Sequence, residues 1–296
     1  MKKYRVVMLN AVIWCILAVC INTAFSVEYN LHQYVILGFI TLGLTFEMLS
    51  GVLDFAWITE IALATCVGAF CLNVGLPFVL VVGVMMLCHL LCGMIKGVLI
   101  SRLKVSPILL TLVWQRVLHG GCDMFGKTQI LYARQWDVYG NTWFWGIMMA
   151  LLVICYVLSW FGLGKTYYGR YIRMLGEDEP ALENSGMNCE MLRIVISCLS
   201  GLCFCAASVI IMLITSSGSA DNGSYYLYPA IVAVCLGGIN FLRGTGRLSG
   251  TICGTLTVVL FMNLLAKWSV FGYSVYTVEV VVILVSVMIF GYRKKN

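Results

Sequence analysis

The chain has 296 residues, 61% of them hydrophobic and 11% charged, with a mean hydropathy of +0.95 and a formal net charge of +6. A soluble globular protein is about 45–50% apolar and about 25% charged. This chain therefore lacks the polar surface to cover a soluble particle, which excludes a cytosolic enzyme, a nucleic-acid-binding domain, a disordered chain and a secreted disulfide scaffold, and leaves an integral membrane protein.

Crossing a ~30 Å hydrocarbon core takes about 20 apolar residues. Runs of that kind lie near 6–26, 31–49, 55–73, 76–100, 105–121, 143–163, 191–214, 228–242, 248–267 and 274–291. They predict an all-α polytopic fold of about ten transmembrane helices, with eight to ten as the range, in a single domain over residues 1–296. The first run follows Met1-Lys2-Lys3-Tyr4-Arg5; it is too long for a signal-peptide core and reads as a retained anchor helix. With the N-terminus in the cytoplasm, 14 of the 19 Lys and Arg residues fall on that side, and the longest external loop, 122–142, holds only Lys127 and Arg134. The positive-inside rule then places the C-terminus in the cytoplasm too, which requires an even number of spans.

The first interruption comes at Ser50-Gly51-Val52-Leu53-Asp54-Phe55. A second, from Gly237 to Arg247, contains Gly237-x-Ile239-Asn240-Phe241, which aligns with Gly51-x-Leu53-Asp54-Phe55. Broken helices near 50–56 and 237–246, at corresponding places in two halves, point to a transport pathway. Gly246, Gly250 and Gly254, at four-residue spacing, read as close helix packing. The pathway expectations are Asp54, Phe55, Thr111, Gln115, Asn240 and Phe241, whose aromatic faces, amides and carboxylate suit a weakly held polyol. Other polar residues within spans are Glu47, Glu60, His89, Lys96, Arg116, Lys267 and Glu279. Ionisable groups at such depth are functional candidates. Glu47, Arg116 and Lys267 sit near predicted ends and are expected to snorkel. His89 and Lys96 are seven apart, on one helix face, and the histidine reads as a hydrogen-bonded packing residue.

The longest cytoplasmic loop, 164–190, carries Glu177, Asp178, Glu179, Glu183 and Glu190, five of the 13 acidic residues. Asp178 suits an N-cap, Pro180 a first turn and Gly186 a C-terminal stop, predicting a helix from Pro180 to Ser185. A helix so short is not stable alone in water, so it docks either on this protein's inner surface or on a cytoplasmic partner. Just before it, Gly162-Leu163-Gly164-Lys165-Thr166 imitates the end of a phosphate loop. The position that the full pattern requires to be glycine is Ser159, and no strand precedes it. Any ATP hydrolysis is thus expected from another subunit. The 14 cysteines lie mostly in apolar runs and are read as small packing residues, with no metal-ligand spacing. No nucleophile–base set or H-E-x-x-H motif suggests membrane hydrolase chemistry.

Four blocks in register resemble the permease subunits of bacterial ATP-binding-cassette importers of the ribose/monosaccharide type, within the branched-chain amino acid/monosaccharide permease superfamily. Val105-Ser106-Pro107-Ile108-Leu109-Leu110-Thr111-Leu112-Val113 stands for the family's I-P-P-F-I-V-T-L-G block. Gly169-Arg170, followed by Gly176, Asn184, Ser185 and Gly186, stands for its large cytoplasmic loop block. Ala230 to Gly238 and then Gly244 to Thr251 stand for A-I-A-A-V-V-I-G-G and G-x-G-S-x-x-G-T, and Leu53-Asp54-Phe55-Ala56 for I-D-L-S. Lys96 where Asn is frequent, Val113 for Gly, Pro229 for an acid and Asp178 for Asn mark a divergent subfamily.

The resemblance implies a permease in the bacterial plasma (inner) membrane. Gly169, Arg170, Gly176, Asp178, Pro180, Ala181, Ser185 and Gly186 would form the segment seated on a cytoplasmic ABC ATPase. That ATPase would use ATP and Mg, with no cofactor in this chain. An extracytoplasmic solute-binding protein and a second permease subunit, identical or related, would complete the complex. The expected function is import of a monosaccharide or related sugar. The alternatives are an ion-coupled secondary transporter using Asp54, Glu60 or Glu279, and a permease of the same superfamily for nucleosides or amino acids.

Overall fold

A computed structural model describes residues 27–103, 105–125, 128–130, 141–240 and 243–267. The chain is mostly helical. In order come α1 (Val27–Leu49), α2 (Trp57–Asn73), α3 (Phe78–Leu103), α4 (Pro107–Met124), strand β1 (Thr128–Ile130), α5 (Thr142–Lys165), α6 (Tyr167–Glu177), α7 (Glu179–Asn184), α8 (Cys189–Thr215), strand β2 (Ser217–Ser219), a 3-10 turn (Ser224–Tyr226), α9 (Leu227–Leu236) and α10 (Leu248–Lys267). Eight of these helices, α1–α5 and α8–α10, occupy the second to ninth apolar runs, and α6 and α7 lie between the sixth and seventh; the first and tenth runs lie outside the described residues. Among the described residues, four helices are long and apolar enough to cross a membrane: α1, α3, α5 and α8. The eighth run corrects the expectation of a span over 228–242. Its helix α9 has 10 residues and ends before Gly237, so at 1.5 Å per residue it rises about 15 Å, half a bilayer core.

Local chemistry sets several boundaries. Asn141, Thr166, Asp178 and Asn188 each accept a backbone N–H from the first turn that follows, starting α5, α6, α7 and α8. Pro107 opens α4. Gly186, at φ +85°, ends the α7 turn in a conformation that disfavours a side chain.

Burial ranks the helices. In the apolar window of α1, 89% of residues are buried, against 28% in α3 and 17% in α5; α1 is therefore the central helix, and α5 presents most of its surface outward. Hydroxyls bind α1 to its neighbours. Thr45 meets Thr251 and Thr41 meets Thr255, each at 2.9 Å, while the Tyr156 hydroxyl donates to the Gly38 carbonyl at 3.2 Å. Such interhelical hydrogen bonds replace the hydrophobic drive that lipid cannot supply between helices.

One close crossing is α3 on α8. A side chain added at Gly93 would lie 2.6 Å from the Ser197 carbonyl oxygen, and one at Gly97 would lie 2.8 Å from Ile194 Cα. Gly93 and Gly97 are thus a small-xxx-small pair that lets two backbones touch. The second such contact joins α9 to α10, where Gly250 packs on Gly237, and Gly254 on Ala233. Gly246 precedes α10 and packs on Ile239.

Two faces result. On one, β1 pairs antiparallel with β2 (Gln129 opposite Gly218), and Asn222 ties β2 to α2 through Thr65 at 3.1 Å. On the other lie the break between α1 and α2, the start of α4, helices α6 and α7, and the break between α9 and α10. Replacing Gly97 with Leu is expected to lower folding stability by at least ~1–3 kcal/mol, read from denaturant unfolding in detergent. Gly83→Ala, where nothing lies within 4 Å of the added carbon, is expected to change little.

Candidate functional site

The first break is built around one nitrogen. Glu47 sits in the last turn of α1, Asp54 in the break and Glu60 in the first turn of α2. Lys96 reaches them from α3, seven residues before its end, about 10 Å along the helix. Its Nζ contacts Asp54 Oδ2 at 2.6 Å, Glu47 Oε1 at 2.8 Å and Glu60 Oε1 at 3.1 Å, and no side chain in the group is more than 2% exposed. Nζ donates a hydrogen bond to Asp54 Oδ2 and forms ion pairs with Glu47 and Glu60. The far oxygen of Asp54 accepts the Ala56 N–H at 2.7 Å, which turns the chain into α2. From α8, the Ser200 hydroxyl donates to Glu47 Oε1 at 2.6 Å, and the Phe204 ring centroid lies 5.9 Å from Nζ. Glu47 therefore does not snorkel, as its place near the end of α1 suggested. It turns inward because Lys96 supplies a partner there. His89, one heptad before Lys96, hydrogen-bonds Ser208 at 2.8 Å.

The second feature is a junction of three glycines. Gly51 at φ +83° lies in the first break, Gly244 at φ +55° in the second, and Gly176 near the end of α6. A side chain at Gly176 would lie 2.5 Å from the Leu49 oxygen, 2.7 Å from Gly244 Cα and 2.9 Å from Gly51 N. Backbone touches backbone on both sides, so α6 contacts both breaks with no intervening side chain.

Residues 164–190 are more ordered than a loop with one short helix. Helix α6 spans 11 residues there, burying Gly169, Ile172 and Leu175 against the bundle. Helix α7 covers Glu179–Asn184, shifted one residue from the expected Pro180–Ser185. Its Leu182 is fully buried, whereas Pro180, Ala181, Glu183, Ser185 and Gly186 are exposed. Arg193 of α8, 9% exposed, grips Glu179 with two nitrogens, Nη2 at 2.5 Å and Nε at 3.3 Å. Arg170 lies exposed over the Tyr167 ring, 4.8 Å from its centroid. A cleft of about 390 Å³ opens between α6, the first break and the start of α4, lined by Ser50, Gly51, Pro107, Gly176, Glu179 and Arg193.

Among the expected pathway residues described, Asp54 and Thr111 are buried and Phe55, Gln115 and Asn240 half-buried. Asp54 is sealed by Lys96. Phe55 is half-buried in the first break. Thr111 is buried and donates to Ile108 within α4, while Gln115 is half-buried one turn on. Asn240 closes the second break through paired backbone hydrogen bonds with Thr245, at 2.8 and 3.2 Å. Phe241 lies outside the described residues. The sequence Gly162-Leu163-Gly164-Lys165 is the helical end of α5, not a loop. Glu179, Glu183 and Cys189 lie close enough to share an ion, but Glu179 already pairs with Arg193.

The sequence singles out all four charged residues of the Lys96 group without joining them. It does not reveal the Gly51–Gly176–Gly244 contact. The Gly93/Gly97 pair has a signal that could find it, the same four-residue spacing that marks Gly250 and Gly254.

A family model described as branched-chain amino acid transport system / permease component matches residues 26–291. The chain belongs to this family. It is similar to the ribose import permease protein RbsC of Haemophilus influenzae, 29% identical over 90% of this chain and 86% of that one. The fructose import permease protein FrcC of Rhizobium meliloti is 29% identical over 81% of this chain and 70% of its own. The autoinducer 2 import system permease protein LsrD of Escherichia coli is 26% identical over 78% and 73%. No solved structure matches. The apolar helices and the family together make this a membrane permease component.

Lys96→Met leaves three buried carboxyl groups without their cation. Breaking a buried pair in this way costs ~3–5 kcal/mol, so the variant is expected to unfold at markedly lower denaturant than the wild type. Arg102→Met, which removes the exposed Arg102–Glu190 pair, is expected to cost under ~1 kcal/mol.

Proposed function

We propose that this chain is the membrane subunit of an ATP-driven importer for a small polar solute, a monosaccharide or related sugar. It works with a separate cytoplasmic ABC ATPase, an extracytoplasmic solute-binding protein and a second permease subunit, in the bacterial plasma membrane. Ten spans with both termini in the cytoplasm complete the reading. The solute class rests on the relatives named for ribose, fructose and autoinducer 2.

The observation that carries the proposal is the backbone contact of Gly176 with both breaks. An ATP-driven permease needs a rigid element that is exposed to its motor and bonded to its gate. Helix α7 and its C-cap offer the motor Pro180, Ala181, Glu183 and Ser185, and keep Leu182 as an anchor. The Asp178 cap and the Arg193–Glu179 clamp hold it to α6 and α8. Movement of α6–α7 then pushes Gly176 against Gly51 and Gly244 together. The first contact tilts the α1–α2 break, the second the α9–α10 break, and the pathway changes its access. Two discrete arrangements of packed backbone are the kind of element that transmits coupling.

The test is transport per ATP hydrolysed in the complex reconstituted with its ATPase and binding protein. Gly176→Val is expected to retain ATPase binding and to lose coupling by about 3- to 30-fold, the range of mutations along a coupling path. Gly186→Val, at a positive φ in the exposed stop, is expected to weaken ATPase association instead. Unchanged coupling in a folded Gly176→Val complex would contradict the proposal.

A further inference from the structure

The Lys96 group has a charge imbalance that the permease reading does not use. One amine and three carboxyl groups share a site where no side chain exceeds 2% exposure. Fully ionised, it would carry two uncompensated negative charges away from water. Each buried unpaired charge costs several kcal/mol, and proteins avoid that state by neutralising the group.

No second cation is at hand among the described residues. His89 is the nearest basic candidate, and its hydrogen bonds define its form. The Ser208 hydroxyl lies 2.8 Å from both His89 Nε2 and the Phe204 carbonyl oxygen, so one ring nitrogen of His89 has a partner. His89 Nδ1 is buried and has no hydrogen-bond partner; a proton there would be an orphan donor. The imidazole is therefore neutral. The other titratable side chains facing the group are Cys88 and Cys92 on α3 and Cys198 on α8, and none supplies positive charge.

The three carboxyl groups are not equivalent. Asp54 has both oxygens occupied by donors, Nζ and the Ala56 N–H. Glu47 has donors at Oε1 only, and its Oε2 is buried without a hydrogen-bond partner. Glu60 makes the longest contact with Nζ, an ion pair, and both of its oxygens are buried without a hydrogen-bond partner. A carboxylate is stable where donors surround both oxygens; a carboxylic acid fits where one oxygen has none.

We propose that this group is a buried proton-binding site, in which Asp54 is the carboxylate that balances Lys96 and Glu47 and Glu60 each carry a proton. The group is then neutral overall. Its three contacting oxygens all touch one nitrogen, so no two are more than about 6 Å apart, and an acid hydroxyl can turn toward a neighbouring carboxyl oxygen. Protons fit better than a metal ion, because the ammonium already occupies the centre of the oxygens. Opening the first break to water would let both protons leave.

The test is infrared spectroscopy of the full-length protein in lipid nanodiscs at neutral pH. Wild type is expected to show protonated-carboxyl C=O absorption that shifts in heavy water. Glu47→Gln and Glu60→Gln are each expected to remove part of it, and the double variant both parts, with unfolding temperatures near the wild type because a neutral group replaces a neutral group. Absence of the band in the wild type overturns the proposal whether or not the variants fold. A band unchanged in folded variants also overturns it. An unfolding temperature raised by sodium or potassium chloride in wild type, absent from the double variant and unaccompanied by the band, would assign a metal cation instead.

Discussion

The Lys96 ammonium holds together segments that the chain otherwise separates. Through three contacts of 2.6–3.1 Å it joins the end of α1, the first break and the start of α2 to α3. A break in a helix at this depth leaves backbone groups that lipid cannot satisfy. Here Asp54 takes the Ala56 N–H with one oxygen and Lys96 with the other, so the same ion pair that cross-links the helices also starts α2. Removing water from such a group is costly, and the geometry must recover that cost. It does so by placing three carboxyl groups within 3.1 Å of the amine, one of them hydrogen-bonded to it. The Gly93 and Gly97 contacts bring α3 against α8 beside Lys96, and α8 supplies Ser200 and Phe204 to the same site.

The three-glycine junction lies at the other end of this break. Lys96 fixes the break to the membrane helices, and Gly51 exposes it to Gly176 of α6. The second break meets the same glycine through Gly244. A side chain at any of the three would separate the backbones. The two breaks thus converge on one element, helix α6. The ion group holds the first break to α3, and the glycine junction brings it against α6.

Part of this architecture is legible in the amino-acid sequence. Eight of the apolar runs hold the helices α1–α5 and α8–α10, because apolar runs of this kind form helices, though among the described residues only α1, α3, α5 and α8 have the length and apolarity of a span. The Asp178 cap and the Gly186 stop are readable because capping is local. Helix α6 is harder to see, because its charges make 164–190 resemble a loop; its buried Gly169, Ile172 and Leu175 lie on one helical face. Glu47 resembles a residue reaching for the surface, since one helix cannot reveal that a lysine 49 positions later faces it. The pairing of β1 with β2 joins three-residue strands far apart in sequence, a length too short to carry alternation. The meeting of Gly51, Gly176 and Gly244 is a fact of tertiary structure with no periodic signal.

Whether an external ATPase, acting through α6 and α7, drives solute across the membrane is measured most directly by uptake into sealed proteoliposomes. These would hold the reconstituted complex, with ATP available to the ATPase side and the ion gradients set independently. Uptake is expected to require ATP and the binding protein and to persist when proton and sodium gradients are collapsed. Uptake without ATP that vanishes with either gradient would contradict an ATP-driven permease.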